Sequence, residues 1–183
     1  VTATATGAAY NDKNVAGANK VSYTGVALQG TGAGNYTIAT TAEGAGTITQ
    51  CALTLGAVGA QTKTYNGNTL ADASKFGAAL NNAVAGDSVT ATATGAAYNN
   101  KNVTAANRID YTGVGLAGAD AGNYSLAATT AQGAGAITKR ALTFASVAAQ
   151  SKTYDGNTTA DASQFHTTLN NVVSGEENSV TAT

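Results

Sequence analysis

A long stretch of the sequence occurs twice, and this repetition constrains the fold more than any other feature. Residues Val1–Asn11 return without change as Val89–Asn99, 88 residues later. The stretch Lys63–Thr69 returns with one substitution as Lys152–Thr158, 89 residues later. Small insertions in loops account for the difference between the two offsets. Self-similarity at such a period predicts a row of similar folded units, each of about 89 residues.

The repeat can be divided in two ways. Units that begin at the Ala-Leu-Thr signature give the rear part of one repeat, a complete repeat and the front part of the next, at 1–50, 51–138 and 139–183. We name these ranges the leading, central and trailing segments. Units that begin at Val-Thr-Ala-Thr give two whole repeats instead, 1–88 and 89–179. The sequence favours neither division.

The composition excludes several classes of function. Charged residues make up 10% of the chain and the net charge is −1, so we expect no basic surface and no nucleic-acid partner. With 43% hydrophobic residues the chain can form packed cores, although Ala, Thr and Gly together make up half of it. No apolar run approaches the roughly 20 residues that cross a bilayer, so we expect no membrane span.

Short segments rich in Thr, Val and Tyr, separated by Gly- and Asn-containing turns, predict a mostly β fold. Tandem β modules of this length fit either an immunoglobulin-like sandwich or a β-grasp-like sheet. Within one period the predicted strands are Ala52–Val58, Thr62–Tyr65, Ser88–Thr94, Arg108–Gly113, Tyr124–Ala128 and Gly135–Thr138.

One segment has helical spacing. Within Ala71–Ala83 the apolar residues Phe76, Ala79, Leu80 and Ala83 lie at i, i+3, i+4 and i+7, which predicts a short helix in each repeat. This helix favours the β-grasp-like alternative slightly.

The aromatic residues recur with the repeat. Large side chains supply most of the burial energy in a core otherwise made of small residues, so we predict that they pack inside before they bind anything. The candidate core aromatics are Tyr10, Tyr23, Tyr36, Phe76, Tyr98, Tyr111, Tyr124 and Phe165.

Residues suited to catalysis do not recur. The one histidine, His166, aligns with Gly77, and the one cysteine, Cys51, aligns with Arg140. One Cys and one His make neither an internal disulfide nor a Cys/His metal site, and the acids are scattered rather than paired. We therefore predict no catalytic, cofactor or metal site, and no enzyme activity.

Four motifs in a fixed order resemble the YDG-type repeats of very large bacterial surface proteins, the filamentous-haemagglutinin-like exoproteins and adhesins. They are Asp12–Val15, Gly34–Tyr36, Lys152–Thr158 and the Ile-Thr-Lys-Arg-Ala-Leu-Thr stretch from Ile137. The resemblance implies an extracellular protein of the bacterial cell surface or biofilm matrix, exported by two-partner secretion, with modules strung in tandem as a stalk. Two acids of the motifs, Asp155 and Asp12, are Asn66 and Asn100 in the other copy, which favours a role for these side chains in turn geometry.

The leading functional hypothesis is a structural, non-catalytic repeat segment of such a stalk or fibre. Its partners would be neighbouring copies of the repeat, in the same chain or head to tail between chains through strand addition. The alternative is an adhesin module that binds a cell-surface carbohydrate or a host protein through its turns. The turn residues are Tyr65, Asn66, Gly67 and Asn68, and Tyr154, Asp155, Gly156 and Asn157. An exposed Tyr154 ring would support this alternative, and a buried one would remove it.

Overall fold

The computed structural model describes residues 1–182; Thr183, the last residue of the predicted front part, lies outside the described residues. The fold is mostly β, as predicted, with sixteen strands and four three-residue 3-10 turns in residues 1–182. The strands group into two compact units. The first comprises 1–59, 73–95 and 111–131, and the second comprises 60–72, 96–110 and the residues from 132 onward.

In the first unit, the leading segment forms two small antiparallel sheets. Strand β1 (Thr2–Thr4) pairs with β4 (Ala27–Gln29). Strand β3 (Lys20–Thr24) lies between β2 (Gly7–Tyr10) and β5 (Thr41–Ala45). These strands follow one another closely along the chain, so antiparallel pairing needs only short connections.

The first unit also contains sheets built from the central segment. Strand β6 (Cys51–Val58) lies between β8 (Ala78–Asn81), which is antiparallel to it, and β13 (Tyr124–Leu126), which is parallel. Strand β9 (Thr90–Thr92) pairs with β12 (Gly115–Ala117). The parallel pair joins the front of the central segment to its rear.

The second unit holds most of a four-stranded sheet. Strands β14 (Thr130–Thr138) and β7 (Gln61–Thr64) pair in parallel, with Gly135 opposite Gln61. They again join the rear of the central segment to its front. In sheet order the strands are β10 (Gly95–Tyr98), β11 (Arg108–Thr112), β14 (Thr130–Thr138) and β7 (Gln61–Thr64).

The trailing segment contributes one further sheet to the second unit, in which β15 (Thr143–Val147) runs antiparallel to β16 (Thr167–Asn170). Every strand pair described in residues 1–182 joins two strands of the same segment. The two parallel pairs of the central segment differ from an immunoglobulin sandwich, whose sheets are antiparallel.

The predicted helix over Ala71–Ala83 is wrong. Residues Ala73–Lys75 form a single 3-10 turn, and Ala78–Asn81 form β8 instead. The other 3-10 turns are Ala33–Asn35, Ala121–Asn123 and Ala162–Gln164.

The helix prediction was wrong because the spacing of the apolar residues fits both a helix and a strand. Phe76 and Leu80 lie four residues apart, which places them on one face of a helix and also on one face of a strand. Ala78 between them is half-buried while its neighbours Gly77 and Ala79 are exposed, so burial alternates with the period of a strand. Gly77 also lowers helix propensity. Residues 1–182 contain no α-helix, so the helix of a β-grasp-like module is missing from them, and none of their helices could cross a membrane.

The buried apolar side chains concentrate in the central segment. Of the ten in the described residues, Ala18 is in the leading segment and nine are central. These nine are Leu53, Phe76, Tyr98, Ala106, Ile109, Tyr111, Val114, Tyr124 and Ile137. The central segment therefore gains most of the stabilisation that burial of apolar surface provides.

Candidate interaction site

The Tyr-Asn-Gly turn of the central segment is organised by the lysine that precedes it. The Lys63 ammonium donates hydrogen bonds to the backbone oxygen and Oδ1 of Asn68 and to the Leu70 carbonyl, each at 2.9 Å. It also lies 5.1 Å from the ring centroid of Tyr98, in cation–π range. Burial lowers the pKa of Lys63. Gly67 has φ of +81°, which only glycine adopts readily.

The Tyr-Asp-Gly turn of the trailing segment is built in the same way. The Lys152 ammonium donates to the backbone oxygen of Asn157 at 2.9 Å and to the Asp155 carboxylate at 3.0 Å. This contact lowers the pKa of Asp155. Asp155 Oδ1 accepts from the Asn157 N–H at 3.1 Å, and Asn66 Oδ1 accepts from the corresponding N–H at 3.5 Å. Acid and amide therefore perform the same turn-closing role.

The two turn tyrosines differ in their surroundings. The Tyr65 hydroxyl donates to Glu176 Oε1 at 2.5 Å, and this hydrogen bond raises the pKa of the phenol. Tyr154 is 93% exposed. The YNG turn therefore contacts the segment that follows it, while the equivalent tyrosine of the YDG turn faces solvent.

The candidate core aromatics also differ in burial. Phe76, Tyr98, Tyr111 and Tyr124 are buried, and the rings of Phe76 and Tyr111 are 4.8 Å apart. Phe165 is half-buried beside Phe144, with 5.8 Å between the ring centroids.

Three aromatics of the leading segment require a correction. Tyr10, Tyr23 and Tyr36 are exposed, whereas their copies Tyr98, Tyr111 and Tyr124 are buried. In the central segment, the front half of the repeat supplies Phe76, which packs beside Tyr111. Within residues 1–182, no copy of that front half covers the three leading rings, so they stay exposed to solvent.

In the first unit, an Asn-Tyr pair docks where the leading and central segments meet. The Tyr124 hydroxyl donates to Asp87 Oδ2 at 2.6 Å and accepts from the Val84 N–H at 3.0 Å. The bond to Asp87 raises the pKa of Tyr124. Asn123 accepts from the Val15 N–H at 2.9 Å and donates to Asn14 Oδ1 at 2.9 Å.

These residues line a groove of about 320 Å³, together with Cys51 at the start of β6. Because β13 begins at Tyr124 and pairs with β6 from Cys51, the hydroxyl reaches Asp87 from a strand that is already fixed. We name this the filled groove.

In the second unit, a groove of about 340 Å³ lies where the central and trailing segments meet. Its lining includes Asn102, Val103, Arg140, Val173 and Glu176. These are the copies of Asn14, Val15, Cys51, Val84 and Asp87, one period later. We name this the open groove, because within residues 1–182 its lining includes no copy of Asn123 and Tyr124.

The carboxylates of the two grooves occupy equivalent turns. The backbone N–H of Asp87 donates to the Val84 carbonyl at 3.2 Å, and that of Glu176 donates to the Val173 carbonyl at 3.0 Å. Glu176 also lies 3.7 Å from the Lys101 ammonium. Sequence reasoning missed both acids, although an acid directly after Gly86 and after Gly175 was a signal that could have found them.

The two residues considered for chemistry belong to different units, Cys51 to the first and His166 to the second. Cys51 is exposed, with its Sγ 3.7 Å from the Asn82 carbonyl, and His166 is exposed next to β16. No group of three or more His, Cys, Asp or Glu in residues 1–182 is arranged to hold a metal ion.

Comparison with known proteins adds one assignment. No curated protein and no solved structure matches the chain. The model of the YDG domain matches residues 49–131, a range that contains the Tyr-Asn-Gly turn, the filled-groove residues Asp87 and Tyr124, and most of the central segment. Residues 49–131 of this chain are a YDG domain.

Proposed function

We propose that this chain is a structural, non-catalytic segment of a bacterial extracellular stalk or fibre, in which successive repeats join head to tail. The observation that carries the proposal is the equivalence of the filled and open grooves. Each forms where one segment meets the next, and each uses the same Asn-Val pair and the same acid-bearing turn. A contact that recurs at every repeat sets a constant geometry from one repeat to the next.

We propose further that the repeating unit is the central segment, 51–138. Each strand of this segment pairs only with strands of the same segment, and two parallel pairs join its front to its rear. The segment also overlaps the YDG domain at 49–131. The alternative division at residue 88 would separate β6 from β13 and β7 from β14.

The proposed location is the bacterial cell surface or a secreted biofilm matrix, as part of an adhesin. The resemblance to surface exoproteins supports this location, and so does the amino-acid composition of the chain. Low charge, no Met and no internal disulfide suit a long polymer made in bulk and exposed to oxidants.

The test is to make chains of one, two and three copies in phase. Val180–Thr183 repeats Val1–Thr4, so an in-phase fusion joins Thr183 of one copy to Ala5 of the next. We expect the maximum dimension measured by small-angle X-ray scattering to grow by the same increment with each copy. We also expect thermal stability to rise as half-repeats become complete.

The matched control joins the copies out of phase, with residues 1–4 retained. We expect this fusion to be longer in sequence and no more stable than the single chain. In-phase fusions that collapse to compact particles, or that gain no stability over the out-of-phase control, would contradict the structural role.

A second candidate function is carbohydrate or host-protein binding at the Tyr-Asp-Gly turn. The observation that favours it is the exposure of Tyr154, whose sequence neighbours Asp155 and Asn157 line a groove of about 550 Å³. Exposed aromatic rings with adjacent polar groups suit recognition of sugars. A glycan array probed with the native chain and with Tyr154→Ala tests it: binding by the first alone supports it, and equal signals refute it.

A further inference from the structure

The leading and trailing segments each contain stretches whose copies in the central segment are paired strands but which are themselves unpaired. Residues Tyr36–Ile38 lie outside the strands described in residues 1–182, and the side chains of Tyr36 and Ile38 are 66% and 44% exposed. Residues Arg140–Leu142 also lie outside those strands. Leu142 is 37% exposed, whereas its copy Leu53 is 3% exposed.

The central segment shows how these two stretches fit together. Tyr124–Leu126 is the copy of Tyr36–Ile38, and Cys51–Leu53 is the copy of Arg140–Leu142. In β13 and β6 these copies pair in parallel, with Tyr124 opposite Cys51 and Leu126 opposite Leu53.

We propose that the leading segment of a second copy of this chain docks on the trailing segment, adding Tyr36–Ile38 as a parallel strand beside Arg140–Leu142. This inference rests on the proposed head-to-tail function and names the joint by which separate chains carry it out. The register is Tyr36 opposite Arg140 and Ile38 opposite Leu142. Unpaired strand edges are ready templates for such addition.

The open groove receives Asn35, which precedes the added strand, and Tyr36, the first residue of that strand. Tyr36 of the second chain meets the Glu176 carboxylate and the Val173 backbone, as Tyr124 meets Asp87 and Val84 in the filled groove. Asn35 meets Asn102 and Val103, as Asn123 meets Asn14 and Val15. Tyr65 already donates to Glu176 Oε1, so the Tyr36 hydroxyl donates to the other carboxylate oxygen. The groove thus offers hydrogen-bonding groups that match a segment that the chain itself carries.

A second strand pair strengthens the joint. In the central segment Gly135–Thr138 pairs in parallel with Gln61–Thr64, and the copies of these stretches are Gly46–Thr49 and Gln150–Thr153. Neither copy is within a strand described in residues 1–182. In the joint, Gly46–Thr49 of the second chain lies beside Gln150–Thr153 of the first.

The joint uses different surfaces on its two chains. After one joint has formed, the pair of chains therefore still offers one leading segment and one trailing segment for further joints. Such a heterologous contact leads to open polymers unless the rotation closes a ring.

The test uses the full chain and two charged variants. Ile38→Asp alters the added strand, and Leu142→Asp alters the strand that receives it. Both side chains are exposed in the single chain, so the substitutions spare its buried core, while a carboxylate in the joint would be buried without a partner. We expect the native chain to form species whose light-scattering mass rises with concentration, and each variant alone to stay at 17.9 kDa.

Mixing the two variants makes the test specific. Each retains the surface that the other lacks, so an equimolar mixture should form dimers and nothing larger. Leu70→Asp is the matched control, since Leu70 is 70% exposed in the central segment and outside the joint; this variant should polymerise like the native chain.

Cross-linking tests the register independently of any loss of folding. Thr37→Cys and Ala141→Cys chains, each also carrying Cys51→Ser, should cross-link with each other through a short bismaleimide, because the copies Ser125 and Ala52 are paired. Each chain alone should not cross-link.

A native chain that stays monomeric at all concentrations, or equal cross-linking of each cysteine chain with itself, would overturn the inference. Such a result would leave the proposed function standing if the in-phase fusions still lengthened by equal increments. Fusions that collapse would refute the proposed function itself.

Discussion

The leading segment and the rear of the central segment have nearly the same sequence, yet the first contains one buried apolar side chain and the second contains seven. Tyr111 is 1% exposed and its copy Tyr23 is 38% exposed. The pairs within each half do recur: β1–β4 matches β9–β12, and β15–β16 matches β6–β8. The pairs that join front to rear, β6–β13 and β7–β14, occur in the central segment alone among residues 1–182.

This comparison shows that two levels of structure are encoded separately. A half-repeat carries enough information for its own antiparallel strand pairs. Burial of Tyr111 needs the other half of the repeat, because Phe76, which packs against its ring, belongs to that half.

The largest difference in unfolding free energy between the two regions should come from truncating the equivalent tyrosine in each region. Tyr111→Ala leaves a cavity in a packed core and should cost about 3–5 kcal/mol. Tyr23→Ala should cost less than about 1 kcal/mol, since an exposed side chain loses little on truncation. Urea unfolding of both variants measures the difference, and equal costs would mean that the leading segment has a core of its own.

A smaller effect should come from deleting one hydroxyl. Tyr124→Phe leaves the Asp87 carboxylate and the Val84 N–H without their shared partner, so the melting temperature should fall by about 2–8 °C. Tyr36→Phe should leave it unchanged in dilute solution. If Tyr36→Phe lowers the melting temperature at high protein concentration alone, Tyr36 lies in the joint between chains.

The same hydroxyl should make stability depend on pH. The hydrogen bond to Asp87 raises the pKa of Tyr124 above the value of about 10 for an unfolded tyrosine. A raised pKa in the folded state stabilises the fold fully below pH 10, and this contribution is lost as pH rises through the raised value. Unfolding midpoints between pH 8 and 12 should decline in the native chain.

The control for this pH dependence is Asp87→Asn, which removes the carboxylate. It should flatten the part of the decline that Tyr124 causes. Tyr65 has a raised pKa through Glu176 and should contribute a similar decline that Asp87→Asn leaves in place. A native midpoint that holds steady through pH 12 would contradict both assignments.

The smallest effect should come from making the two turns identical. Asp155→Asn gives the trailing turn the residue of the central one and removes an exposed ion pair with Lys152, a kind of contact that contributes little. The melting temperature should change by less than about 2 °C. A large loss of stability, or of binding to any glycan found on the array, would give the acid a role beyond turn closure.

Sequence reasoning predicted two of the central strands almost to the residue. It predicted Ala52–Val58 for β6 and Arg108–Gly113 for β11, within one residue at each end of the observed Cys51–Val58 and Arg108–Thr112. It missed β10 and β12, whose Ala- and Gly-rich sequences have low intrinsic strand preference and form strands because neighbouring strands pair with them.

The candidate site was predicted in part. The Tyr-Asn-Gly and Tyr-Asp-Gly turns are where the motif indicated, because Gly67 and Gly156 adopt the positive φ that such turns need. The grooves were not predicted. Val84 and Asp87 lie far from Asn123 and Tyr124 along the chain, and no local pattern links them.

The repeat, the mostly β content and the turn positions follow from residue type and spacing, so the sequence alone was enough to predict them. The tertiary structure decided which tyrosines are buried, that Ala78–Asn81 is a strand, and which groove is filled. These outcomes depend on pairing between distant parts of the chain. Identical tyrosines at Tyr36 and Tyr124 therefore have opposite environments, because burial depends on what a neighbouring segment covers.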